Sequence, residues 1–513
     1  MAGHTPDYSF ELGLVDDIEY LELPETLILP EETPITSDIV SWAMEKHQSN
    51  LYRYQLLQDY YEGKTKILRR QKDSDKPNNK VVSGYPSYIV DMIQGYFIGN
   101  PVQYTVPQDL REDFDKVQEV FIDNDEQDEN TELTKMAGIK GRAYELVYTE
   151  KVDDEIKIRF NELEPEQAFV IYDNKVNPEI LFGFMPYKEV DVNNLQGEGK
   201  QVVIVYDKQY RYKFAQGPNG YMQEGEATEH LFGEVPLIEV MNNDEGMGDF
   251  ERVLSIIDAY EKVQSDTAND FEEFTDALLM LHEMQGTTPE DIKQLRKEGV
   301  ILTGAGQSAG WLIKNINDTA LENYKKRLDN DIHKFSKVPN MGDENFAGNV
   351  SGESMKYKLL ALDQVIVTKQ RKFKTALQTR IRLILNILKL RSEVSDLNYR
   401  DVDITFTPNR PVNEKEAVEM AVQLKAIASE ETALSALPSR IVNDVGAELE
   451  KLQDERSGYY DITDFEDDED EKDVLGIPSK SKGKSKIPAF AQRILKKLKK
   501  IFQKTVDFCV FRG

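Results

Sequence analysis

The stretch ESMKYKLLALDQVIVTKQRKFKTALQTRIRLILNILKLR (353–391) reads as one helix of 39 residues. At 1.5 Å per residue it would span about 58 Å if straight. Ten cations (Lys356, Lys358, Lys369, Arg371, Lys372, Lys374, Arg380, Arg382, Lys389 and Arg391) face only two acids, Glu353 and Asp363. The whole chain has Lys+Arg 63 against Asp+Glu 93, a net charge of −30. A basic rod therefore sits inside an acidic protein. Just before it, NMGDENFAGNVSG (340–352) is a glycine-rich loop joining this helix to another.

That preceding helix, 318–337, has Leu321, Tyr324, Leu328, Ile332 and Phe335 at helical spacing, with Asp318 as its N-cap. Segment 251–276 repeats the pattern through Val253, Ile257, Tyr260, Val263, Thr267, Phe271 and Phe274, and its other faces are acidic. Between the two lies a compact insert, 277–317. LLMLH (278–282) reads as a strand, TPEDIKQLRKEG as a short helix, and VILTG and WLIKNI as two strands around GAGQSAG (304–310). Rods of opposite sign, 251–276 and 353–391, could pair between neighbouring copies in a ring, although such stripes more often form core within one chain.

Upstream, a helix starts from Ser37 as N-cap and runs through YRYQLLQDYYE (52–62) to Gly63. A basic loop, Lys64–Lys80, and a second helix, Tyr85–Phe97, follow. From about 142 to 240 the chain alternates short β-favouring runs with turns: AYELVYTE, EIKIRFNEL, AFVIYD, LFGFMPYKEV, QVVIVYD, YRYKFAQ and VPLIEVMNN. Downstream, Asp403–Thr407 reads as a strand, followed by helices at 413–428 and 439–455. The fold class is α+β, with two to four domains expected from the length.

Residues 457–513 form a tail of charge blocks. Residues 461–473 hold nine acids and one lysine, and 480–504 hold ten cations and no acid. Within the basic block, Phe490, Ile494, Leu495, Leu498, Ile501 and Phe502 share a helical face. This segment could lie on anionic membrane, bind nucleic acid, fold on a partner or stay solvated.

Chemistry-bearing motifs are scarce. A single cysteine, Cys509, excludes an internal disulfide framework, and five histidines stand at no metal-ligand spacing. GAGQSAG lacks the Gly-Lys-Ser/Thr ending of a phosphate loop and reads better as a turn. Asp123, Asp125 and Asp128 suggest a calcium loop, but the central glycine is missing and Thr134 stands at its twelfth position. An exposed acidic turn is the better reading. No cofactor, metal or catalytic residue is expected. The N-terminus lacks the pattern of a signal peptide, and no run approaches the roughly 18 to 20 apolar residues of a membrane span, so a reducing aqueous compartment is expected.

DYYEGKTKILRR (59–70), KPNNKVVSGYPSYIVDMIQGYFIGNPVQY (76–104), FAGNVSGESMKYKLLALD (346–363) and ITFTPNRPVNEKEAVEMAVQLKAIASEETALSALP (404–438) resemble, in order and spacing, the portal proteins of tailed bacteriophages. The likeness is to the type found in long-tailed phages of Gram-positive hosts, and it runs from about 40 to 456. It implies a ring, usually a dodecamer, at one capsid vertex, with a channel for double-stranded DNA during packaging and ejection. The implied partners are the terminase that drives packaging, capsid and scaffold proteins, and the head–tail adaptor; assembly would take place in the host cytoplasm.

Carried onto this chain, the resemblance makes 1–250 the wing, 251–276 and 318–337 the stem, 277–317 the clip and 338–352 the tunnel loop. The long wing helix would fall in 353–400 and a strand with the crown helices in 401–456, leaving the tail unmatched. Asn340, Met341, Asp343, Glu344, Asn345, Phe346 and Asn349 would face DNA in the tunnel loop, which carries no lysine or arginine. Glu290, Asp291 and Trp311 would be clip contacts for partners. The competing readings are a packaging-associated nuclease or nucleotidase with an unpaired acidic site, and a scaffold docked on membrane through the basic tail.

Overall fold

The computed structural model describes residues 22–460, apart from 75, 191–198, 275–277, 283–287, 289, 291–292, 294–307, 313–317, 343–351, 411–413, 438–440 and 443–444. Two compact units divide between Asn409 and Arg410. In the first unit the helices are α1 (Ser37–Tyr61), α2 (Tyr85–Ile98), α3 (Arg111–Asp123), α4 (Glu126–Lys140), α5 (Leu254–Phe274), α6 (Asp318–Ser336) and α7 (Gly352–Leu390). The strands are β1 (Ile28–Leu29), β2 (Gln103–Thr105), β3 (Arg142–Val152), β4 (Glu155–Leu163), β5 (Phe169–Asp173), β6 (Ile180–Glu189) and β7 (Lys200–Tyr206). After them come β8 (Tyr210–Gly217), β9 (Gly220–Gln223), β10 (Thr228–Glu229), β11 (Leu237–Met241), β12 (Leu278–His282), β13 (Ser308–Leu312) and β14 (Asp403–Thr405).

The expected strand region is a mainly antiparallel sheet in the order β1-β5-β6-β7-β8-β10, with β9 on β8, beside a separate sheet β11-β3-β4. Among the described strands, β1 alone pairs parallel, through Ile28 opposite Tyr172. Glycine at 183 lets β6 approach β11 closely, since a Cβ there would lie 2.9 Å from the Leu237 Cβ. Val40 and Ala43 of α1 join the sheet side chains Phe169, Phe184, Val203, Val205 and Phe214 in one core. Thr36, not Ser37, caps α1, accepting from the Ile39 amide at 3.4 Å.

A larger core gathers around α7. Leu359, Leu362, Ile366 and Phe373 bury one stripe of its first half, and from Arg380 onward Ile381, Leu383, Ile384, Leu385, Ile387 and Leu388 are all buried. Helix α3 adds Phe114, Val117 and Phe121 at i, i+3 and i+7. The sequence reading had no helices over 111–140; α3 and α4 occupy that stretch. Asp123 is paired with Lys157 at 2.8 Å and Asp128 lies in the first turn of α4, so the acidic turn is the short junction between two helices.

The basic rod is not a bare one. Lys369 meets Asp249 at 2.8 Å, and Arg380 meets Glu145 at 2.5 Å and Glu126 at 3.3 Å, with all five side chains buried. Lys372 pairs with Asp244, Lys374 with Asp403 and Arg382 with Glu234. Arg380 also stacks on Phe160, and Asn130 accepts from it at 2.7 Å. A buried guanidinium is tolerable because acids and an amide meet its donors.

The second unit contains α8 (Glu414–Leu424), α9 (Glu430–Ser435) and α10 (Val445–Tyr460), packed through Ala421, Leu434 and Leu437. The expected helix 413–428 ends earlier, because Ser429 caps a separate α9 by accepting from the Thr432 amide at 3.2 Å. Helix α10 runs past 456, where the tail was expected to begin. The charge blocks of the tail lie outside the described residues.

Candidate functional site

Helices α5 and α6 pack side by side, and β12 and β13 lie between them in sequence. Part of the acidic surface of α5 is met from its own chain. Among its described side chains the buried ones are Ile257, Glu261, Ser265 and Asn269, an i+4 row that is polar after its first member. Segment 65–83 lies along this row as a strap. Thr65 donates to Glu261 at 2.5 Å, and the Ser83 amide and hydroxyl donate to the same carboxylate at 2.8 Å. The Val81 amide donates to Ser265 at 2.8 Å and the Asn79 amide to Asn269 at 2.7 Å. Arg70 binds Asp266 at 2.7 Å and folds back on the Asn79 carbonyl at 2.6 Å.

Glu261 thus accepts three neutral hydrogen bonds, and burial pushes its carboxyl up from the ordinary range. Burial does the same to Asp258, which accepts from the Tyr60 hydroxyl at 2.7 Å. Among the described side chains of the apolar stripe read from sequence, Val253 and Ile257 are buried, Tyr260, Val263 and Thr267 are half-buried and Phe271 is exposed. On α6, Leu328 and Ile332 are buried, while Tyr324 and Phe335 are exposed.

The chain leaves α6 through Lys337, whose φ of 63° is the left-handed turn that ends a helix. Val338 is then buried, and its carbonyl accepts from His333 Nδ1 at 3.0 Å. Tyr88 of α2 donates to the Pro339 carbonyl at 2.9 Å and accepts from the Met341 amide at 3.2 Å. Tyr85, one turn earlier, donates to Asp329 at 2.5 Å, and Asn340 reaches the other oxygen of that carboxylate at 3.4 Å. The rings of Tyr85 and Tyr88 both stand edge-on to His333.

Of the residues selected from sequence, Asn340 is half-buried in this cluster and Met341 is exposed beside it. Asp343, Glu344, Asn345, Phe346 and Asn349 lie outside the described residues. Glu290 is exposed and helical, Asp291 lies outside the described residues, and Trp311 is in β13 opposite Leu279 of β12. Ser308–Gly310 belong to that strand, so the second half of GAGQSAG is strand and not turn. The reading missed Tyr85, Tyr88, Asp329 and His333. Tyr85 and Tyr88 stand at i, i+3 on α2 and Asp329 and His333 at i, i+4 on α6, spacings that put each pair on one helix face but do not show that the two pairs meet.

A family model described as phage portal protein, SPP1 Gp6-like, matches residues 41–459. The chain belongs to that portal family. The portal protein of Bacillus phage SPP1 is 24% identical over 406 residues, covering 76% of this chain and 78% of its own. The portal protein of Clostridium phage phiCD119 is 25% identical over 433 residues, covering 78% and 92%. Among solved structures, a chain from the neck of an empty GTA particle, computed with C6 symmetry, is 11% identical with a TM-score of 0.42, covering 69% of this chain and 90% of its own. The portal family expected from the four sequence segments and the α+β class read from the helix and strand patterns are both borne out. Portal proteins are structural components of the phage particle, and this chain is one of them.

Proposed function

We propose that this portal protein assembles into a ring at one capsid vertex, through which double-stranded DNA passes during packaging and ejection. The ring also docks the terminase and, later, the head–tail adaptor. The observation that carries this reading is the portal match over 41–459, nearly all of the described chain. In this reading α5 and α6 are the stem, 277–317 with β12 and β13 the clip, α7 the long wing helix and 401–456 the strand and crown. Residues 338–352 form the tunnel loop, with Asn340, Met341, Asp343, Glu344, Asn345, Phe346 and Asn349 toward the DNA. Glu290, Asp291 and Trp311 belong to the clip surface offered to partners.

Charge supports the conduit. Binding duplex DNA tightly requires clustered cations that displace its counterions. This chain has net charge −30, its loop 338–352 has no Lys or Arg, and much of the basic charge of α7 is already paired within the subunit. A channel of this kind lets DNA slide without trapping it. Negative-stain imaging of the purified protein should show rings with a central hole. A strictly monomeric 58.9 kDa species at micromolar concentration and moderate salt would overturn the reading.

A further inference from the structure

A side chain of α2 ties the root of the segment after α6 to a different part of the subunit. Tyr88 lies on α2, more than two hundred positions upstream, and its hydroxyl both donates to Pro339 and accepts from Met341. The two bonds bracket Asn340, whose half-buried side chain is itself engaged: its amide nitrogen donates to Asp329 at 3.4 Å, and its side-chain oxygen accepts from the Gly342 amide at 3.0 Å. On the α6 side, His333 holds the Val338 carbonyl, and Tyr85 holds Asp329. Residues 338–342 are therefore gripped from α6 and from α2. Tyr88 supplies the α2 backbone contacts. We propose that Tyr88 is a latch, a positioning residue that pins the root of the segment to α2 and sets where the following residues start.

Two physical points make the latch releasable. Tyr88 is half-buried, so water can replace each partner of its hydroxyl when the root lifts. Its ring packs edge-on against His333 at 5.7 Å, so it stays in place whether or not the hydroxyl is engaged. The Lys337 turn is where a lifted root would swing, since its left-handed backbone already costs a non-glycine residue energy. The latch couples the position of α2 to that of the root, and in the proposed ring it would connect the wing to the channel lining. That last consequence rests on the proposed function; the latch does not.

The test uses the full chain and the Tyr88→Phe variant, which keeps the ring and removes only the hydroxyl. Hydrogen exchange should show the Met341 amide exchanging about tenfold faster in the variant, the effect of one lost hydrogen bond. Amides at Leu328 and Ile332 in α6 should be unchanged. A Tyr88→Leu variant, which also removes the contact with His333, should loosen Val338 as well. Unchanged exchange at Met341 in Tyr88→Phe would overturn the latch. Faster exchange together with altered DNA packaging supports both latch and channel. Faster exchange with normal packaging supports the latch and counts against residues 338–352 as channel lining.

Discussion

His47 sits on α1 with its ring stacked on Phe169 at 4.4 Å and its Nε2 donating to the Glu166 carbonyl at 3.0 Å. Burial pulls its pKa from 6.5 down to about 4. The folded state thus binds fewer protons than the unfolded one between those values, and stability falls as the pH drops from 6.5 toward 4. The shift corresponds to about 3 kcal/mol at the acid end. Glu129 has the opposite sign: burial and the neighbouring Glu162 raise its carboxyl to about 8. Its contribution is full below about 4.5 and is lost as the pH rises through 8. Unfolding measured across pH 4 to 9 should show His47→Gln flattening the acid limb and Glu129→Gln flattening the alkaline limb. Acid limbs of equal slope in wild type and His47→Gln would show that His47 does not stay neutral in the folded chain.

Helices and strands built on apolar period were legible, and those whose partners are polar were not. Helix α7 was placed within one residue at each end, because its buried stripe keeps helical spacing. The strands from 142 to 241 followed their β-branched and aromatic alternation. For α5 the apolar stripe misled: the row that is buried along 261–269 is Glu261, Ser265 and Asn269, and only the strap, nearly two hundred residues upstream, makes those residues comfortable inside. Asn340 and Met341 lie just past the end of α6, and their anchors on α2 were invisible because hydrogen bonds across such separations leave no period. The strap gives a test at this scale. Replacing Glu261 with Ala strands three donors, from Thr65 and Ser83, at a cost of roughly 2–3 kcal/mol. The strap contains Lys66, Arg69, Arg70 and Lys72, so trypsin reads its opening directly. Cleavage within 66–72 should be at least about tenfold faster in Glu261→Ala than in wild type. Equal rates would show that α5 does not hold the strap.

Closed rings require two different complementary patches on every subunit, because each copy meets its neighbours head to tail. The pairing of an acidic rod with a basic one between copies was an inviting source of such patches, but the chain uses those charges internally: α5 against the strap, α7 against Asp249, Glu145, Glu126, Glu234 and Asp403. Apolar surface remains for the task. On α7, Tyr357, Leu360 and Val367 are exposed on one face at spacings of three and seven, and on α6 Tyr324 and Phe335 are exposed at a spacing of eleven. Such side chains, left in water by the single subunit, favour association. The double variant Leu360→Asp, Val367→Asp places two carboxylates on the α7 stripe without touching its buried row. Each would be desolvated at every contact of the ring, at a combined cost of several kcal/mol, enough to shift assembly by a factor of about a thousand or more. Mass photometry should then find the 58.9 kDa subunit where the wild type gives a high oligomer, while circular dichroism and thermal unfolding of the subunit stay near wild type. Full rings from the double variant would move the interface away from α7 and leave the α6 aromatics, or the second unit, to make it.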